Sequence, residues 1–266
     1  MIIFQSGMVL TFAHNLVSPR PPVRPIVPSG VFPPCFSLSA PNSHAAAFFS
    51  EKRGSAALGG KARLVTRASA STSLYSPDIA QDLGDVTIFT ADGEPVMFKD
   101  LWDQNEGLAV VALLRHFGCV CCWELASTLK EYKSKFDSVG VKLIAVGVGT
   151  PNKARILAER LPFPMDCLYA DPERKAYNVL DLYYGVGRTF LNPASAKVFS
   201  RSDSFRKALK NYTIEATPDD ISSVLQQGGM LVFKGRQLLY ARKDEGTGDH
   251  APLDDIFDVC CKAPSA

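Results

Sequence analysis

No uninterrupted apolar run in the 266-residue chain is long enough to cross a bilayer, so no membrane span is expected. Acidic residues are almost missing from the first 75 positions. Seven Lys and Arg face the single acid Glu51 there, whereas 22 basic and 26 acidic residues follow. The basic balance is confined to one end, which reads as an address signal and not as a nucleic-acid surface; no nucleic-acid partner is expected. There is no His-x-x-x-His and no second Cys-x-x-Cys. A tetrahedral zinc site needs four ligands, usually from two spaced pairs, so zinc is disfavoured even if His116 or Cys167 joined Cys119 and Cys122. Gly147-x-Gly149 lacks the third glycine of a dinucleotide loop and is followed by Pro151. The seven cysteines are odd in number, and three fall inside four positions, unlike the spread of a secreted disulfide framework.

What is present divides in two. Residues 1–70 are Arg-rich, Ser/Pro-rich and acid-poor, the composition of an organelle transit peptide. The Ser/Pro content and Val65-Thr66-Arg67-Ala68-Ser69 favour plastid (stroma) over mitochondrion, and Cys35 would leave with this segment. No basic residue precedes the apolar Met1–Val17 stretch, which argues against a signal peptide; a disordered regulatory arm would share the composition. Residues 76–266 carry the periodicity of one folded domain.

Within that domain, Asp85–Thr90 and Pro95–Phe98 read as strands around Asp92-Gly93. Leu108–Leu114 and Val141–Val148 are continuous apolar runs, expected of strands buried on both faces. Leu125, Leu129, Tyr132 and Phe136 recur at helical spacing, which predicts a helix from near Cys122. Three helix-start signals follow: Thr150-Pro151, Asp171-Pro172-Glu173 (helix to Tyr184, stopped by Gly185) and Thr217-Pro218-Asp219-Asp220 (helix to Gly228-Gly229). Met230–Phe233 and Gln237–Arg242 predict a closing hairpin, and Leu253–Cys261 a last helix. Such alternation predicts an α/β domain, a central mixed sheet flanked by helices, with an extra helical insertion over about 185–217.

Arg115-His116-Phe117-Gly118-Cys119-Val120-Cys121-Cys122 joins a buried strand to a helix start. A helix N-terminus offers unpaired N–H groups and about half a positive charge, so a thiolate is favoured there. Such placement brings a cysteine pKa from about 8.5 into the range of roughly 3.5–7.5. Cys119 and Cys122 are therefore the candidate redox pair. Arg115 and His116 are candidate thiolate or anion partners, or plain polar residues at a strand end. Cys121 is read as a small apolar filler before it is read as a competing thiol, and Cys167, Cys260 and Cys261 as packing before remote resolving thiols. His250, beside Asp249 before the last helix, is expected to cap that helix or orient a loop.

Taken with Tyr169-Ala170-Asp171-Pro172, Gln227-Gly228-Gly229, Tyr240-Ala241-Arg242-Lys243-Asp244 and Asp249-His250-Ala251-Pro252, the cysteine turn makes residues 85–262 resemble the AhpC/TSA antioxidant-enzyme family, in its thioredoxin-like, peroxiredoxin-like Cys-x-x-Cys branch. The resemblance implies a thioredoxin fold and thiol-dependent reduction of peroxides or disulfides. It also implies an external thiol donor of thioredoxin or glutathione type, no bound cofactor, and a Cys119–Cys122 pair. One branch of the family reduces a lipid endoperoxide. True peroxiredoxins place Pro and Thr seven and three residues before the attacking cysteine. Counting back from Cys122 meets Arg115 and Cys119, and from Cys121 meets Leu114 and Gly118. Two rivals follow from that departure: a redox-sensing or interaction module that keeps the fold without catalysis, and a reductase specialised for a lipid or quinone-type substrate.

Overall fold

The computed structural model describes residues 75–195 and 202–263. The expected transit peptide and Cys35 lie outside them. Seven strands form one sheet in the order β2-β1-β5-β4-β3-β6-β7. They are β1 (Thr87–Thr90), β2 (Pro95–Met97), β3 (Leu108–His116), β4 (Val141–Val148), β5 (Leu168–Ala170), β6 (Gly229–Lys234) and β7 (Gln237–Lys243). The helices are α1 (Ile79–Gly84), α2 (Val120–Ser138), α3 (Pro151–Arg160), α4 (Lys175–Val179), α5 (Ser202–Asn211) and α6 (Leu253–Lys262).

β3, β4 and β5 run parallel, while β6 lies antiparallel to β3 and β7 antiparallel to β6. The order β4-β3-β6-β7 with α2, α3 and α6 is the thioredoxin fold, extended on one side by β5, β1 and β2. Period-two alternation along β3 divides the core. Val110, Ala112 and Leu114 pack with the inner faces of α2, α3 and α6, whereas Ala109, Val111 and Leu113 pack with α1 and α4. Among the described residues no helix is long and apolar enough to cross a membrane.

β4 occupies the span its apolar run predicts, and the closing hairpin and last helix form. β3 runs two residues further than predicted, to His116, and carries a bulge. Leu113 pairs with Val146 but His116 pairs with Val148, so three steps on β3 match two on β4. The Tyr177 hydroxyl sits at this irregularity, between the carbonyls of Leu114 and Val146. Gly147 and Gly149 are structural: a Cβ on Gly147 would lie 2.5 Å from the Phe117 ring, and one on Gly149 2.9 Å.

Two predicted helices are corrected. The one expected from Arg174 to Tyr184 shrinks to Lys175–Val179, because Arg174 and Asp181 take left-handed backbone at φ 59° and 46°. Asp171 caps the short helix that remains, accepting from Lys175 N at 3.0 Å and Ala176 N at 2.8 Å. The helix expected over 217–228 is a single 3-10 segment, Ile221–Leu225. Asp220 and the serines bond locally, a competition that favours turns over helix, and the carbonyls of Val224 and Gln226 are taken by Arg115. α1 and the three-residue β5 were not predicted.

The insertion holds a helix, as expected, and it has a place: α5 lies against α2. The Tyr212 ring meets Trp123 edge-on at 5.5 Å, and Ala208 is buried.

Candidate active site

The bulged end of β3 delivers Arg115 and His116 to the first turn of α2. That helix starts at Val120, two residues before Cys122, so Cys119 is its N-cap, with extended backbone at φ −87°, ψ 118°. Cys121 and Cys122 fall in the opening turn. Gly118 lets the turn close against the segment before the 3-10 turn: a Cβ there would lie 2.1 Å from Thr217 Oγ1 and 2.4 Å from Thr217 Cα. Tyr212 donates to Gly118 O at 2.9 Å and Trp123 Nε1 to Phe117 O at 2.5 Å, which fixes the turn from both sides.

Three sulfurs meet here. The Cys121 and Cys122 side chains both act on the Cys119 sulfur and dominate its electrostatics. Arg115 Nη1 donates to Cys119 Sγ at 3.4 Å, and the Arg115 backbone N–H donates to Cys122 Sγ at 3.2 Å. The same guanidinium is buried and anchored by Nε to Gln226 O at 2.9 Å and Nη2 to Val224 O at 2.7 Å. The Cys121 and Cys122 side chains hold Cys119 well below the ordinary thiol range, with Arg115 and His116 helping and burial opposing. Cys122 is driven well above that range, first by burial and then by Cys119. Cys121 is driven up as well, first by Cys119 and then by burial. One thiol of the three is thus set up as a thiolate.

Arg115 is a partner of Cys119, as one of the two sequence readings has it. His116 is less directly so: burial lowers its pKa, and its Nδ1 has no hydrogen-bond partner among the described residues. Its carbonyl accepts the Cys119 N–H at 3.1 Å. Cys121 is buried in the core cluster, as a small apolar filler is, and its side chain also acts on Cys119.

Cys167 is remote. It interacts with Lys133 on α2, and at 1.5 Å per residue Lys133 lies roughly 20 Å along the helix from its start. Burial pushes the Cys167 thiol up to about 11 and that of Cys260, on α6, up to about 12. Asp249 binds Arg242 at 2.8 Å, while the His250 Nδ1 lies 2.9 Å from Asp244 Oδ2 and its Nε2 3.3 Å from Cys121 O. Pro252 is the N-cap of α6, so His250 orients the cysteine turn and does not cap the helix.

Sequence reasoning did not find Thr217, Tyr212 or the carbonyls of Val224 and Gln226. The Thr217-Pro218 pair carried a signal, but it also fits a helix start. Among the described residues no group of three or more His, Cys, Asp and Glu could hold a metal ion. An open cavity of about 470 Å³ is lined by Arg174, Tyr177, Asp181, Tyr184 and Gln226 among others; Gln226 links it to Arg115.

A sequence profile described as AhpC/TSA antioxidant enzyme matches residues 128–246. A thioredoxin-like protein AAED1, chloroplastic, of Arabidopsis thaliana is 35% identical over 68% of this chain and 73% of its own length. The prostamide/prostaglandin F synthase of Sus scrofa is 31% identical over 65% of this chain and 83% of its own. Peroxiredoxin-like 2C of Bos taurus is 25% identical over 68% and 79% respectively.

Proposed function

This chain belongs to the AhpC/TSA antioxidant-enzyme family, and from that premise we propose that it works as a thiol-dependent oxidoreductase with Cys119 as nucleophile and Cys122 as resolving thiol. The observation that carries the proposal is the convergence of the Arg115 guanidinium and two neighbouring thiols on the Cys119 sulfur. Each donor stabilises negative charge on sulfur, and the thiolate is the reacting form.

With a disulfide substrate, Cys119 S⁻ attacks one sulfur, the substrate S–S bond breaks, and one substrate thiolate leaves. Cys122 then loses its proton and attacks Cys119, forming the Cys119–Cys122 bond and releasing the second substrate thiol. With a peroxide, the Cys119 thiolate takes one oxygen, leaving an alcohol or water. Condensation of the sulfenic acid with Cys122 then expels water. Two thiols of an external donor restore the reduced pair. Arg115 and Cys119 occupy the positions of the peroxiredoxin Pro and Thr, which favours the thioredoxin order, first cysteine attacking, and disulfide over peroxide as the faster substrate.

The test is to expose the reduced full-length protein briefly to one equivalent of hydrogen peroxide or of a small disulfide, then alkylate and map peptides by mass spectrometry. A Cys119–Cys122 bridge within seconds supports the proposal. Activity towards both oxidants that survives replacement of both cysteines would sink it.

A second reading, reduction of one apolar substrate, is favoured by exposed Ile214 and Ile221, which flank the Thr217 contact with Gly118. The named activity of the Sus scrofa relative fits that reading. We also propose plastid import, with 1–70 as the removed segment and 76–266 as the mature domain. The chloroplastic name of the Arabidopsis thaliana relative supports it. Import of the full chain into isolated chloroplasts with loss of mass is expected; import by mitochondria alone would refute it.

A further inference from the structure

Cys121 acts on Cys119 as Cys122 does, from the same first turn of α2, but has a different relation to solvent. Cys122 is fully buried and its sulfur accepts the Arg115 backbone N–H, whereas Cys121, like Cys119, keeps 6% of its surface exposed. At a helix start, residues two or three apart have Cα atoms within the roughly 4.4–6.8 Å that a disulfide spans. Both Cys119–Cys121 and Cys119–Cys122 meet that limit. The third combination does not, because consecutive Cα atoms are about 3.8 Å apart. The turn is also held from below, where the buried His250 ring reaches from Asp244 to the Cys121 carbonyl.

We propose that Cys121 is a second resolving thiol, so that the oxidised site is a pair of exchanging disulfides, Cys119–Cys122 inside and Cys119–Cys121 facing the donor. The inference rests on Cys119 being the nucleophile. Exchange needs no outside oxidant. Cys121 loses its proton and attacks Cys119 Sγ, the Cys119–Cys122 bond breaks, and Cys122 leaves as a thiolate that takes the proton. Cys119 and Cys121 are equally exposed at 6%, so the leaving group and not access sets where reduction starts. A donor thiolate attacks Cys121, the Cys119–Cys121 bond breaks, and Cys119 leaves as the most stable thiolate of the three. Attack by a second donor thiol on the donor sulfur of the Cys121 mixed disulfide forms the donor disulfide and returns Cys121 as a thiol. Leaving-group stability favours this direction, because a low-pKa thiol leaves faster.

The test uses the full-length protein, wild type and the Cys121→Ser, Cys122→Ser and double variants, fully reduced and given one equivalent of oxidised glutathione. Free thiols are then blocked with N-ethylmaleimide and the 116–130 peptide is sequenced by mass spectrometry. In Cys122→Ser the majority of molecules should bridge Cys119 to Cys121, while the double variant should stall with glutathione on Cys119. Wild type should give two isomers, one labelled on Cys121 and one on Cys122. The inference alone is overturned if wild type bridges Cys119 to Cys122 with label confined to Cys121, and Cys122→Ser stalls as the double variant does. A double variant that takes no glutathione on Cys119, together with wild type that forms no disulfide at Cys119, overturns the parent reading and this one together. The wild-type label distribution decides the matter even if a variant folds poorly.

Discussion

Arg115→Gln removes a guanidinium that donates to Cys119 Sγ at 3.4 Å and to the carbonyls of Gln226 and Val224 at 2.9 and 2.7 Å. Two effects follow, and they separate experimentally. A hydrogen bond to a charged group is worth about 1.5–3 kcal/mol, so the Cys119 pKa should rise when the guanidinium is lost. A bare Coulomb estimate at 3.4 Å and an effective dielectric of about 20 gives about 5 kcal/mol. That is an upper limit, because the guanidinium spreads its charge over three nitrogens. The Cys121 and Cys122 thiols remain, so the pKa should stay below the ordinary range even so. Labelling of Cys119 by iodoacetamide, followed against pH, should fall by about 10–100-fold on the acid side of the wild-type pKa, where rate tracks the thiolate fraction. Stability should also drop by about 1–3 kcal/mol per orphaned carbonyl, readable in urea unfolding. Arg115→Lys keeps the charge without the fork and should lie between the two in the labelling profile. A folded Gln variant whose profile superimposes on wild type would refute the assigned role of Arg115.

Gly118→Ala should destabilise by about 1–3 kcal/mol or more through overpacking, since its methyl meets the backbone of Thr217; an unchanged urea midpoint would contradict that contact. Asp249→Asn should cost about 3–5 kcal/mol by leaving the buried Arg242 charge unpaired, read by thermal unfolding, and a variant as stable as wild type would argue against the pair. In wild type, Cys119 labelling should persist as pH falls below the ordinary thiol range and disappear only below its lowered pKa, because deprotonation is what makes it reactive. Cys167 and Cys260, pushed up to about 11 and about 12, should stay unlabelled near pH 7, and equal labelling of all three would refute the ordering.

β3 and β4 were legible because a strand buried on both faces writes an unbroken apolar run, and the stripe from Leu125 to Phe136 writes α2 in the same direct way. The cysteine turn could be located by its neighbours in the chain. Its electrostatics could not, because Arg115 is anchored 109 and 111 residues away. That distant claim on two carbonyls is also part of why the expected helix over 217–228 is a 3-10 turn. β5 is three residues long, too short for any period to register. The shortened α4 shows local chemistry winning over a start signal, since Asp171 caps a helix that begins only after a left-handed Arg174. Cys121 is small and buried, as its composition suggests, and only the fold brings it to bear on Cys119.

Arg115 touches both members of the redox pair with different parts of itself, the main-chain N–H on Cys122 and the guanidinium on Cys119. Disulfide formation removes the charge from one acceptor and the proton from the other at the same moment. The residue is therefore a two-terminal gauge of oxidation. In ¹⁵N spectra its amide and guanidinium resonances should move together as the sulfurs join, and the amides of Gln226 and Gln227 should follow through the Gln226 carbonyl. The state of the pair would then be visible without touching a thiol, from signals that lie outside the helix bearing the cysteines.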